Sequence, residues 1–181
     1  NSAPTPSISI DEAVNRIGMG AFQRRILVAA GLCFAADSME ILLLSFLSVV
    51  LQAAWELSET ETALLTAVVF WGALIGTAIL GPLGDVIGRK PVFLGTAALI
   101  TTFGIATAAV TNFPTLVVMR FGVGFGVGGL TVPFDTLAEF VPTCHRGREL
   151  MVVEYFWTAG TLLEPVAAFV SLVSYSDSGW M

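Results

Sequence analysis

Five apolar runs, each long enough to cross a bilayer, constrain the fold of this 181-residue chain more than any motif it carries. A hydrocarbon core about 30 Å thick takes roughly 20 helical residues to span. The runs fall at about 26–50, 62–83, 92–110, 115–140 and 150–173. They are apolar around most of the helix circumference, whereas a water-soluble bundle would show polar stripes at helical period. Charged residues make up 12% of the chain, about half the share in an average soluble domain. The expectation is an all-α membrane protein with five transmembrane helices.

The net charge of −6 says less than the distribution of the bases. Arg16, Arg24 and Arg25 precede the first run, Arg89 and Lys90 separate the second from the third, and Arg146 and Arg148 separate the fourth from the fifth. Only Arg120 lies inside a run. Of the opposite connections, 52–61 is acidic, 111–114 is neutral and 174–181 holds only Asp177. Positive residues stay on the cytoplasmic side, which puts the N-terminus inside and makes 174–181 an extracytoplasmic segment. The identity of the membrane, plasma membrane or organelle, stays open. Residues 1–25 read as a cytoplasmic tail. Its start, with Pro4 and Pro6, is disordered; a short amphipathic helix begins near Asp11-Glu12 and breaks at Gly18 and Gly20. No secretory cleavage signal precedes the first run, which would itself direct insertion. Cys33 and Cys144 form no disulfide framework. His145, alone in a basic loop, reads as solvated.

Between the second and third runs lies Gly81-Pro82-Leu83-Gly84-Asp85-Val86-Ile87-Gly88-Arg89-Lys90. Glycine permits the chain reversal, and Arg-Lys marks the cytoplasmic face. This turn resembles the signature loop of the major facilitator superfamily, Gly-x-Leu-small-Asp-basic-aromatic-Gly-Arg-basic. It departs from that pattern at Val86, where a base is usual, and at Ile87, where an aromatic is usual. Arg120, Gly124, Pro133, Glu139, Pro142, Arg146 and Gly147 resemble the sugar-porter pattern around the fourth helix. In that family, acid and arginine at the inner end of the fourth helix join those of the turn in a cytoplasmic gate. The resemblance assigns the gate to Gly81, Asp85, Gly88, Arg89, Glu139 and Arg146. Thr136 stands where a sugar porter carries an aromatic. Asp11-Glu12-Ala13, Phe22-Gln23, Ala36 to Glu40, Leu44-Ser45-Phe46, Pro133-Phe134-Asp135 and Phe156 to Thr161 are similar to the nicotinate-permease and synaptic-vesicle-protein branch. That branch includes proton-linked carriers of small aromatic acids.

Polar residues within apolar runs stand out because a charge facing hydrocarbon costs at least about 2.5–3.5 kcal/mol. Asp37 lies 12 residues past Arg25, about 18 Å deep at 1.5 Å per residue. Glu40, three residues on, shares its face. These carboxyls either hold helices together by hydrogen bonding or exchange protons and contact a cation. Arg120, Asp135 and Glu139 fall within about a third of one helix circumference. Arg120 can neutralise one carboxylate among Asp37, Glu40, Asp135, Glu154 and Glu164. The others must be protonated, water-exposed or paired with helices outside this chain. Glu154, Trp157 and Glu164 fall on one side of the fifth run. Trp157 there is either plain packing or a cation–π surface beside carboxylates.

Gly122, Gly124, Gly126, Gly128 and Gly129 punctuate the fourth run. Gly124, Gly126 and Gly129 fit a dinucleotide fingerprint, but no strand precedes them, and close helix packing explains them better, as it does Gly72 and Gly76. No metal-ligand spacing or nucleophile elbow points to an enzyme, and no metal, cofactor or nucleic acid is expected. Facilitator-type transporters have twelve helices in two halves with the solute near the midplane. The chain therefore reads as an N-terminal fragment, holding five helices of a six-helix bundle. Its expected function is secondary active, proton-coupled transport of a small organic solute by alternating access. Its expected partners are the bilayer, the solute, protons and a C-terminal six-helix half. Asp37, Glu40, Arg120, Asp135, Glu154, Trp157 and Glu164 are its candidates for proton coupling and solute binding. The alternative is a non-transporting membrane scaffold or vesicle protein that keeps the fold.

Overall fold

The computed structural model describes residues 9–177, with side chains described for residue 9 and residues 11–170. Its helices run in the order α1 (Ile10–Ile17), α2 (Ala21–Ala54), α3 (Glu59–Ile87), α4 (Arg89–Ala108), α5 (Phe113–Val127), α6 (Thr131–Phe140) and α7 (Arg146–Asp177). The expected disordered start of the chain and residues 178–181 lie outside the described residues. Residues 174–177, expected as an extracytoplasmic segment, are the last turn of α7.

Local chemistry sets the boundaries. Ser58 Oγ accepts from the Glu61 amide at 3.3 Å while the Ser58 amide donates to Glu61 Oε2 at 2.9 Å, so a reciprocal cap opens α3. Asn112 Oδ1 caps α5 by accepting from the Thr115 amide at 3.0 Å. Gly88, at φ +98°, carries the whole reversal between α3 and α4, in a region that disfavours side chains. Gly18, at φ +71°, ends α1, so the amphipathic stretch divides and its second part becomes the first turns of α2.

The fourth apolar run is not one regular helix. α5 and α6 meet through a single 3-10 turn, Gly128–Leu130. Pro133 has no amide hydrogen to give the carbonyl four residues back, at Gly129, and the helix tightens there. Thr77 Oγ1 donates to the Gly128 carbonyl at 3.0 Å, satisfying part of the disturbed backbone from α3.

α2, α3, α4 and the Phe113–Phe140 rod are long and apolar enough to cross a membrane. α7, expected as a fifth span, is 32 residues long and lies along α2, with its side chains described as far as residue 170.

Glycines allow the helices to approach closely. A Cβ at Gly72 or Gly76 of α3 would strike the backbone of Phe121 and Phe125; one at Gly124 of α5 or at Gly128 of the 3-10 turn would strike the carbonyls of Val69 and Ala73. The two small-residue ridges interlock reciprocally, which is how helices associate where hydrocarbon gives no hydrophobic drive. Gly160 of α7 does the same against Ala35 and Ser38 of α2. Two apolar clusters close the ends of the bundle. Ala30, Leu137, Val141 and Val153 lie at the end nearest α1, and Leu51, Leu65 and Leu116 at the other.

Candidate functional site

The bundle brings its only deep base onto one of its deep acids. Arg120 Nη1 of α5 donates to Glu40 Oε1 of α2, and their side chains are only 4% and 15% exposed. Glu40 sits about 21 Å from the C-terminal end of α2 and about 29 Å from its start. Neither charge is tolerable alone at that depth, and pairing is what makes both tolerable. Asp37, one turn earlier, turns Oδ1 into the interior without a hydrogen-bond partner, and Arg120 Nε is also unpartnered. Two carboxyl groups and one guanidinium therefore share a site with unused hydrogen-bonding capacity.

Cavities meet at these carboxyls. Asp37 and Glu40 line one of about 170 Å³ with Ile41, Val69, Ala73 and Val127. Asp37 also borders one of about 350 Å³ between α2 and α4, beside Cys33, Phe93 and Ala97. Glu40 and Glu164 flank a cleft of about 650 Å³ between α2 and α7. Glu164 is 6% exposed, with Oε2 unpartnered. Trp157 meets Phe34 edge-on at 6.2 Å, and Phe34 meets Phe134 at 5.2 Å, joining α7, α2 and α6. Phe34 lies one turn before Asp37. Neither phenylalanine stands out in a chain with 13 of them in apolar surroundings.

The other candidates lie elsewhere. Glu154 is exposed and outside the Arg120 cluster. Asp135 does not join Arg120. Fifteen residues separate them, about 22 Å along a helix, with the 3-10 turn between. Asp135 lies instead 3.9 Å from Arg89. Arg89 also meets Asp85 at 3.3 Å and Glu139 at 2.6 Å, so three carboxylates surround one guanidinium at the bundle end. Arg146, expected in the same group, lies 3.7 Å from Asp11 of α1. Beside it, Asn15 Oδ1 accepts from the amide and hydroxyl of Thr143 at 2.9 and 3.1 Å. α1 is thereby fastened to the loop between α6 and α7, an arrangement no motif announced. Gly88 is needed for its backbone angle, whereas a Cβ at Gly81 would meet open space. Among the described residues no group of His, Cys, Asp and Glu side chains could hold a metal ion.

This arrangement is an apolar bundle with one buried ion pair across helices and an arginine–carboxylate cluster at the α3–α4 turn. The family model described as sugar (and other) transporter matches residues 22–181. The chain belongs to that family. It is a multi-pass integral membrane protein of the major facilitator superfamily, a family of transporters and not of enzymes. It is 38% identical over 162 residues to organic cation/carnitine transporter 7 of Arabidopsis thaliana, covering 90% of this chain and 32% of that protein. It is 35% identical over 171 residues to the synaptic vesicle 2-related protein of Bos taurus, covering 94% and 31%. The Xenopus laevis protein of the same name is 34% identical over 159 residues, covering 88% and 29%. The chain spans about a third of the length of these relatives.

Proposed function

We propose that this chain works within a secondary transporter that moves a small organic solute together with protons by alternating access. The observation that carries the reading is the Arg120–Glu40 pair, buried midway along α2 with an unpaired oxygen of Asp37 beside it. Protonation of Glu40 removes the charge that holds Arg120 and frees the guanidinium for Asp37 or for the solute. Loss of the proton restores the pair. One titration thus changes which helices are tied together, as coupling requires. Asp37 and Glu40 carry the proton and Arg120 is their counter-ion.

The solute meets the aromatic faces of Trp157, Phe34 and Phe134, with Glu164 as a further negative group. The excess of buried carboxyls over bases favours a cationic solute, and the name of the Arabidopsis relative is in keeping with that. At the bundle end, Arg89 with Asp85, Asp135 and Glu139 forms the cytoplasmic gate. The bases around it support a cytoplasmic N-terminus. A C-terminal six-helix bundle supplies the opposing wall.

The test is uptake into proteoliposomes by a full-length protein carrying this chain, with and without an imposed pH gradient. Asp37→Asn and Glu40→Gln should each abolish gradient-driven accumulation. Wild-type uptake with unchanged pH dependence in Asp37→Asn would defeat the proposal. No uptake, and no stabilisation of the purified protein by any organic cation tried, would favour a non-transporting membrane protein instead.

A further inference from the structure

The bases divide into two sets. Of eight in the chain, Arg16 pairs with Glu12 at 2.8 Å, Arg89 with Glu139 at 2.6 Å, Arg146 with Asp11 at 3.7 Å, and Arg120 with Glu40. Arg24, Arg25, Lys90 and Arg148 are exposed and form no ion pair among the described residues. All four lie at the same end of the bundle, on the entry to α2, the start of α4 and the start of α7. The acids there are mostly engaged. Asp85, Asp135 and Glu139 crowd Arg89, and Asp11 and Glu12 hold Arg146 and Arg16. Glu149 alone stands outside these pairs, next to Arg148.

Each free base has a large exposed apolar side chain within a few residues. Ile17 (72% exposed) and Phe22 (56%) precede Arg24-Arg25; Val86 (82%) and Ile87 (55%) precede Lys90; Met151 (70%) is one turn after Arg148. Arg24 and Arg25 stand on α2, Arg148 on α7, and Val86 and Ile87 on α3, whose 34, 32 and 29 residues run about 51, 48 and 43 Å against a hydrocarbon core of about 30 Å. Lys90 stands in the first turn of α4, whose 20 residues about match that core. Their terminal turns stand in the headgroup layer. An apolar side chain at that level dips into the acyl boundary, while the neighbouring base reaches phosphate.

We infer that this end of the bundle is a binding rim for acidic phospholipid, with Arg24, Arg25, Lys90 and Arg148 as its headgroup contacts. The rim spans three separate helices, and headgroups bound at Lys90 would sit on α4, which packs little against α2 or α7. The partner is a lipid of the adjoining leaflet and not a soluble anion, because each free base has an exposed apolar side chain within a few residues, the pairing that a bilayer interface takes up.

The test is lipid retention. A full-length protein carrying this chain is reconstituted into equimolar phosphatidylcholine and phosphatidylserine, re-extracted in mild uncharged detergent, and its bound lipid analysed. The wild type should retain phosphatidylserine several-fold over phosphatidylcholine. The R24Q/R25Q/K90Q/R148Q variant should fall to the ratio of the starting membrane, and R24K/R25K/R148K should keep the enrichment. Equal retention of the two lipids by the wild type, or undiminished enrichment in the glutamine variant, would overturn the inference. Should the glutamine variant fail to fold, the wild type in about 1 M salt decides, since the Debye length there is about 3 Å. Enrichment that survives such salt also overturns it.

Discussion

Two arginines, each facing carboxylates across helices, occupy opposite electrostatic regimes in this molecule. Arg120 is 4% exposed and holds one acid, Glu40, in the middle of the bundle; Arg89 is 29% exposed and holds three acids that are each more than half exposed. In the deep site the partner's charge is what makes burial possible, so each group depends on the other. At the bundle end water screens every contact, and no single contact matters much. The same chemistry serves as a structural necessity in one place and as an easily broken tie in the other. That difference is what the proposed coupling element and the proposed gate require.

The largest effect should come from breaking the deep pair on one side only. Arg120→Met leaves Glu40 buried without its partner, and losing one member of a buried pair costs about 3–5 kcal/mol. A sharp fall in melting temperature in detergent should follow. The double variant Arg120→Met/Glu40→Met should recover most of the loss, because it removes the orphaned charge. Recovery that does not occur would mean that Arg120 is held by something other than Glu40.

Next in size is the packing that positions Arg120. Gly124→Val drives side-chain carbon into the Val69 carbonyl across the α3–α5 seam. Overpacking of this kind costs about 1–3 kcal/mol. Gly81→Ala, where a Cβ meets open space, should melt within error of the wild type. The pair of variants separates glycines needed for close approach from glycines that only accompany a motif.

The deep site was legible because charge inside an apolar run has no cheap explanation. Asp37, Glu40 and Arg120 stand out for that reason, and the three-residue spacing of the acids gives their shared face. Which acid Arg120 would take was not legible, since the choice depends on how α2 and α5 cross. Asp135 lies beside Arg89 and not Arg120, because a shared helix face does not bring together residues fifteen positions apart. The pairing of Arg146 with Asp11, like that of Asn15 with Thr143, joins residues more than a hundred positions apart in a polar setting where any partner would do. Phe34 and Phe134 gave no contrast against other apolar residues.

At the bundle end the comparison predicts a small, salt-sensitive effect. Arg89→Gln removes ties to Asp85, Asp135 and Glu139, and exposed pairs contribute about 0.2–1 kcal/mol each, often less in a cluster. Melting at low ionic strength should fall by a few degrees at most, and the gap from wild type should close in about 1 M salt. The Arg120→Met gap should stay open in the same salt. Two arginine variants that responded alike to salt would dissolve the distinction between the sites.

The smallest effect belongs to the tie between α1 and the α6–α7 loop. Asn15→Ala removes two hydrogen bonds from Thr143, both exposed, while the apolar cluster around Ala30 and Leu137 stays intact. The melting temperature should not move measurably. Local opening should become easier, since one net hydrogen bond is worth about 0.5–1.5 kcal/mol. Amide exchange in α1 and at Thr143 should therefore accelerate about three- to ten-fold, with α5 and its Arg120 region unchanged. Acceleration that reached α6 and the Arg89 cluster would instead make α1 a part of the proposed gate, because Glu139 and Thr143 lie on either side of the same helix end.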